Sequence, residues 1–238
     1  MLSAIAKILI CPFCKGEKAV SEILFGHSLG GTLWSDMKTI YPAMPEISLV
    51  QRCPHCGKYY FPYKVESKEG NEDSDDQGNL TYEQIKEAVN QYAQVVLEQE
   101  DEIVLRLLFV NIYNDTFQRE GVAHEAQPTA DDKMLFRKQV LRLLQIWDYA
   151  EDLQRAELYR EIGEFEQAVK ILDAQPLDQP FMHYMVSQMR QLAESGQTYA
   201  FQIKYKPTEE EMRAMEHQEP ESYTPDPSSK HTDEDSPF

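Results

Sequence analysis

Two Cys-x-x-Cys pairs constrain this chain more than any other feature of its sequence. They stand in CPFCKG (residues 11–16) and CPHCGK (residues 53–58) and use every cysteine of the protein. The four cysteines are Cys11, Cys14, Cys53 and Cys56. Pro12 and Pro54 favour a sharp turn inside each pair, and Gly16 and Gly57 are predicted to supply left-handed backbone just after it. Apolar residues flank both turns, at 8–10 and 59–61. The pattern predicts two turns on short β-hairpins whose thiols face one metal ion.

Four thiolate ligands favour zinc as the metal. Zinc prefers four tetrahedral ligands and binds thiolate sulfur at about 2.3 Å, so the sequence predicts a zinc ribbon with one structural Zn²⁺ on Cys11, Cys14, Cys53 and Cys56. An iron–sulfur cluster also accepts four cysteines and stays open as an alternative. A redox pair would need a thioredoxin-like βαβ context, which the sequence does not show. Structural disulfides would fit a secreted protein, and nothing in the sequence indicates secretion.

The 38 residues between the two pairs exceed the roughly 15–20 that such ribbons usually have. This insertion contains GHSLGG (residues 26–31), which matches the G-x-S-x-G nucleophile elbow of α/β-hydrolases. The elbow requires a buried strand, a strained turn and a helix, and only 25 residues precede Gly26. We therefore interpret it as a glycine-rich loop and predict no catalytic residue. Residues 34–36 fit either a small polar site or a tryptophan closing over the ribbon core, and His55 is predicted to be a solvated turn residue.

Charge divides the chain into four segments. The protein has 238 residues and a formal net charge of −18. Residues 1–65 carry 7 basic and 4 acidic side chains, whereas residues 66–80 carry 1 and 6. We predict a ribbon domain over 1–65, an acidic flexible linker over 66–80, a helical domain over 81–206 and an acidic, largely disordered tail over 207–238. A short helix is predicted over 209–217 at the start of this tail.

The same composition excludes several classes of protein. No apolar run approaches the roughly 18 residues that cross a bilayer. Met1–Ile10 lacks the basic start, the long apolar core and the cleavage site of a secretory signal, so the chain is predicted to be cytoplasmic. A charge of −18 also disfavours general binding to nucleic acid.

Residues 81–206 show helical periodicity throughout, which makes the fold class mainly α. Apolar residues recur at three- and four-residue spacing in 85–96, including Val95 and Val96, and again in 103–113. Thr129 with Asp132 predicts the capped start of a third helix. A helical pair is predicted over 148–180 and a last helix over 181–195.

The helical pair resembles a tetratricopeptide repeat in the line AELYREIGEFEQAVKILDAQP. The residues at the spacing of that family are Ala156, Tyr159, Gly163, Phe165, Ala168, Leu172 and Pro180. With the two CPxC pairs, GHSLGGTLWSD and LRLLFVNIYNDTF, the chain resembles a group of uncharacterised bacterial proteins that join an N-terminal zinc ribbon to a tetratricopeptide-like helical domain. The resemblance implies this fold and the zinc, and it implies no catalytic residues.

These observations favour an interaction protein without catalytic activity. The predicted partner-binding surface lies on the helix 148–162, on the side of Gln154, Arg155 and Glu161. A nucleic-acid-associated ribbon and an enzyme with an unrecognised site stay as alternatives. Because 65 residues form only a marginal core, the ribbon is expected to depend on zinc and the helical body is expected to fold without it.

Overall fold

A computed structural model describes residues 3–25, 30–41, 48–70, 79–121 and 126–209. It confirms the predicted fold class: small antiparallel β-sheets carry the cysteines, and six helices follow. The contacts group Met1–Lys204 as one compact unit and Tyr205–Phe238 as a second. Residues 26–29, most of the linker and the tail beyond 209, with the helix predicted there, lie outside the described residues.

Three small antiparallel sheets make up the β region. The strands are β1 (Ser3–Ile10), β2 (Glu17–Phe25), β3 (Thr32–Leu33), β4 (Thr39–Ile40), β5 (Gln51–Arg52), β6 (Tyr59–Tyr60) and β7 (Ser67–Glu69). The first sheet has the order β2-β1-β7, and β3 with β4 and β5 with β6 form two-stranded sheets. The apolar residues 8–10, which the sequence placed on a β-hairpin beside the first turn, thus lie in strand β1. Strand β7 comes from the segment predicted as linker, where backbone pairing with Leu9 and Ile8 orders residues 67–69.

Within the described residues, six helices follow in sequence. They are α1 (Tyr82–Tyr92), α2 (Gln99–Phe117), α3 (Ala130–Ile146), α4 (Asp152–Glu161), α5 (Phe165–Asp173) and α6 (Pro180–Glu194). The predicted cap of α3 is confirmed: the Thr129 side chain accepts from the Asp132 N–H, and Asp132 accepts from the Thr129 N–H. Thr81 and Gln84 form the equivalent box at α1. None of the helices in the described ranges is long and apolar enough to cross a membrane.

One part of the predicted first helix is wrong. Val95 and Val96 were expected on its buried face, but α1 ends at Tyr92 and both valines are exposed, Val96 at 99%. The Val95 N–H donates to the Tyr92 carbonyl in a turn rather than continuing the helical ladder. The periodic pattern therefore runs past the helix end and leaves two apolar side chains in solvent.

The largest core is shared by the ribbon and the helices. Its buried residues come mainly from α1, α2 and α3. Val50, just before β5, and Tyr59 and Phe61, just before the 3₁₀ helix Pro62–Lys64, belong to the same cluster. A small second cluster, which contains Leu9, Cys11, Cys53 and Tyr60, surrounds the buried cysteines. The predicted boundary between the ribbon and the helical body therefore crosses this largest cluster, while the helices α4 to α6 have a cluster of their own.

Helices α4 and α5 form the predicted helical pair, followed by α6. Gly163 adopts a φ of +79° between them, and Ala156 and Ala168 are fully buried where the two helices approach. Residues 200–203 then return to the insertion: Gln202 bridges Trp34, and the Ile203 N–H donates to the Leu33 carbonyl. The insertion is thereby fixed to the end of the helical body.

Candidate metal centre

The four cysteine thiols converge on one point. Their Sγ atoms all lie within 4.8 Å of one another. The Sγ atoms of Cys11 and Cys56 are 3.7 Å apart, and those of Cys14 and Cys53 are 3.6 Å apart. A tetrahedral ion with metal–sulfur bonds of about 2.3 Å sets its sulfurs about 3.8 Å apart. These four cysteines are therefore positioned to hold one metal ion.

Each cysteine pair closes a turn with the same backbone hydrogen bonds. The Cys11 N–H donates to Gly16 and the Cys53 N–H donates to Lys58, at 2.9 Å in both. The residue directly after each second cysteine takes the left-handed conformation, with φ of +61° at Lys15 and +73° at Gly57. The prediction is therefore right for Gly57 and wrong for Gly16, whose neighbour Lys15 occupies the strained position.

Gly16 is needed for a different reason. A Cβ at Gly16 would lie 2.3 Å from Cδ2 of His55, so the imidazole of the second turn packs directly on the backbone of the first. The His55 Nε2 also lies 3.0 Å from the Glu17 carbonyl oxygen. His55 is an exposed turn residue, as the sequence predicted, and it also joins the two turns.

The contact between the turns gives a testable expectation. Gly16→Ala should weaken Zn²⁺ binding by about 5- to 30-fold, because displacing His55 costs roughly 1–2 kcal/mol in rotamer strain and lost hydrogen bonding. Competition with a colorimetric chelator measures the affinity. The double variant Gly16→Ala/His55→Ala should bind as His55→Ala does, since the clash is then absent. An equal loss in Gly16→Ala with and without His55 would contradict this contact.

The thiols influence one another's ionisation. Burial opposes ionisation of Cys53, but backbone N–H groups of its turn and the neighbouring thiols lower its pKa to about 6. At Cys14 the Gly16 N–H favours the thiolate, yet burial and the three other thiols raise the pKa to about 12. The turn of Cys53 therefore favours its thiolate, whereas the surroundings of Cys14 oppose ionisation. A bound cation removes this opposition, which is the behaviour expected of a metal site.

Helix α1 holds the second turn through its own side chains. The Tyr59 N–H donates to Gln91 Oε1 at 2.9 Å, and Gln91 Nε2 donates to the Tyr59 carbonyl at 2.8 Å. Tyr92 donates to the same carbonyl, and the Tyr59 hydroxyl donates to Glu87. The Gln91 amide thus pairs with β6 as a neighbouring strand would. The position of α1 and the geometry of the cysteine turn are therefore mechanically linked.

The polar residues of the insertion bind the helical body rather than the ribbon core. Asp36 is buried and accepts from Arg119 Nη2 at 2.8 Å and from Asn114 Nδ2 at 2.9 Å. The Trp34 ring lies under the Arg119 guanidinium, 4.6 Å from centroid to Cζ. Ser35 exchanges two hydrogen bonds with Phe201. Neither interpretation made from the sequence for these residues described this attachment.

The predicted partner-binding residues do not form one exposed surface. Glu161 is only 3% exposed, so its assignment to a recognition surface is wrong. Gln154 is half-buried and accepts from the Glu151 N–H as part of the α4 cap. Arg155 is half-buried and donates to the Leu144 carbonyl. This side of helix α4 packs against other parts of the chain, and several of its polar residues are buried there.

Sequence reasoning missed that buried polar layer. Arg160 is fully buried, binds Glu157 through two hydrogen bonds and donates to the carbonyls of Gln197 and Tyr199. The only sequence signal was the charge of α4 itself, which has polar residues where an amphipathic helix would have an apolar stripe.

Comparison with protein-family models, with curated proteins and with solved structures finds no significant match. The pair α4–α5 is a helical hairpin by its own geometry, and its assignment to the tetratricopeptide family rests on the sequence pattern alone.

Proposed function

We propose that the four cysteines hold one structural Zn²⁺ and that the protein is a cytoplasmic, non-catalytic interaction protein. Four protein thiolates complete a tetrahedral zinc site, so no coordination position is left for water or substrate. This closed ligand set supports a structural role. The ion would fix the second turn and, through Gln91 and Tyr59, the side of the core that faces α1.

The observation that carries the interaction role is the exposure of Val95 and Val96. They line a groove of about 460 Å³ between the end of α1 and helices α2 and α3. We call it the Val96 groove; its lining includes Val95, Val96, Leu135, Arg106, Lys138 and Arg142. Exposed neighbouring apolar side chains in a concave surface are typical of a binding site for another protein.

The charge of the Val96 groove indicates the chemistry of the partner. Arg106 and Arg142 both donate to a single carboxylate, that of Glu102, and Lys138 lies at the same groove. The groove is therefore net positive on a chain whose formal charge is −18. Its expected occupant is a protein segment that presents apolar side chains flanked by carboxylates.

A photo-crosslinking amino acid at position 96 tests this role in the cell of origin. We expect one discrete protein adduct whose crosslinked peptide, read by mass spectrometry, is apolar and acidic. Position 177 is the matched control, because Leu177 is also an exposed apolar residue but lies outside this groove. The adduct should disappear with Lys138→Glu/Arg142→Glu.

The same experiment can overturn the proposal. Equal adducts from positions 96 and 177 would show non-specific contact. An adduct with RNA would instead support the nucleic-acid alternative. An adduct that persists in Lys138→Glu/Arg142→Glu would show that the partner does not recognise the positive charge of the groove.

A further inference from the structure

The buried polar layer beside α4 contains more acids than bases. Asp36 is paired with Arg119, and Glu157 is paired with Arg160. Glu161, between these pairs, is the fifth charged residue of the layer, and no cationic side chain of the described residues lies within 4.0 Å of its carboxylate. A buried carboxylate is costly unless a cation or several hydrogen bonds compensate it.

Glu161 has weak compensation from the chain. Asn114 Nδ2 lies 3.2 and 3.3 Å from its two oxygens, and the same nitrogen is closer to Asp36. Burial, followed by the charges of Glu157 and Asp36, raises the pKa of Glu161 well above its ordinary value. The charge of Arg160 offsets only part of this rise. An added positive group would form an ion pair with Glu161 and would offset the repulsion of Glu161 by Glu157 and Asp36.

A cavity provides space for such a group. Glu161 is the most buried charged residue that lines a cavity of about 550 Å³ between α2, α3 and the end of α4. Three buried aromatic residues, Tyr113, Phe117 and Phe136, also line it. Aromatic rings beside a carboxylate favour an organic cation, because ring faces are electron-rich. Tyr113 and Phe136 stack on each other at 3.9 Å, which covers one face of each ring and leaves the other. The volume is in the range of small-molecule sites.

Two positively charged side chains lie at the exposed part of the same cavity. Lys133 and Arg137 are exposed lining residues on neighbouring turns of α3. Arg137 is already paired with Glu164, so Lys133 is the main candidate to meet an anion. A ligand that carries only a positive charge would be repelled by the positive charges of these two side chains.

We propose that this cavity binds a small zwitterion of the amino-acid class, with its ammonium group at Glu161 and its carboxylate at Lys133. The site is independent of the Val96 groove and of the metal centre. It gives the protein a small-molecule input in addition to its proposed partner.

Calorimetric titration of the full-length, zinc-loaded protein tests the site with defined probes. The probes are glycine, 4-aminobutyrate and 6-aminohexanoate, with n-butylammonium and butyrate as analogues that keep one charge. We expect one amino acid of the series to bind at least tenfold more tightly than either single-charge analogue. Butyrate that binds as tightly as the amino acids, or no binding of any amino acid up to millimolar concentration, would overturn the proposal.

Two variants test the contacts of the ammonium group and of the carboxylate of the ligand one at a time. Glu161→Gln should weaken both the amino acid and n-butylammonium by at least tenfold. Lys133→Met should weaken the amino acid by a similar factor and leave n-butylammonium unchanged. Since Lys133 is exposed, this second variant stays informative if the buried substitution fails to fold. Unchanged binding of the amino acid in Lys133→Met, or in a folded Glu161→Gln protein, would contradict the assigned orientation.

Discussion

Chelation of the metal is expected to destabilise the helices together with the ribbon. Without the ion the second turn loses its fixed geometry, and Val50, Tyr59 and Phe61 no longer hold their places in the shared core. Each such side chain contributes about 1.5–3 kcal/mol by burial, so about 5 kcal/mol or more is at risk. For a unit of this size that lowers the melting temperature by roughly 10 °C or more. Circular dichroism at a helical wavelength, with and without chelator, measures it.

A pair of variants distinguishes metal loss from damage to the turn. Cys56→Ser removes one exposed ligand with little change in shape and should reproduce the effect of chelator. Phe13→Ala removes a 48% accessible ring that lies under the Lys58 ammonium, and it should lower the melting temperature far less than metal loss does. Helices that melt at the same temperature in the chelated and native proteins would show that the body folds alone, as the sequence first suggested.

The second large effect is expected at Arg160. Arg160→Met removes the cation from Glu157 and leaves the carbonyls of Gln197 and Tyr199 without this donor. A buried ion pair that loses one partner typically costs 3–5 kcal/mol, because the other charge stays buried. Chemical denaturation followed by circular dichroism should show this loss in the free energy of unfolding.

Arg155→Met is the matched control on the same helix. Arg155 is half-buried and makes one long hydrogen bond, at 3.4 Å, so its replacement should cost no more than about 1 kcal/mol. The double variant Arg160→Met/Glu157→Gln should recover part of the stability lost in Arg160→Met, since the unpaired charge is gone. Equal losses at Arg155 and Arg160 would contradict the buried ion pair.

The clustering of the four cysteines and the positions of the helices were predictable because their signals are local. Paired cysteines at fixed spacing require a turn, and the Thr129–Asp132 box marks a helix start within four residues. The left-handed residue of the first turn was misplaced for the same reason: the sequence offers Gly16, but the hydrogen bond from Lys15 N–H to Cys11 fixes the position one residue earlier. Gly16 is instead required by His55, which is 39 positions away in the chain.

Two of the features that sequence reasoning missed depend on partners distant in the chain. Gln91 completes the edge of β6 from a helix 32 residues later, so a charge-based boundary could not show that the ribbon and the body share a core. The position of Glu161 on its helix predicted a solvent-exposed side chain. Asn114, which is hydrogen-bonded to both Asp36 and Glu161, belongs to another segment and packs against it. Periodicity likewise could not show that α1 stops before Val95.

Native mass spectrometry of the full-length protein from its own cell is the most direct test of the metal centre. We expect one zinc ion per chain, displaced by protons on acidification, and no zinc in Cys56→Ser. A metal-free chain with four titratable thiols, or a chain that carries iron and sulfide, would contradict a structural zinc site.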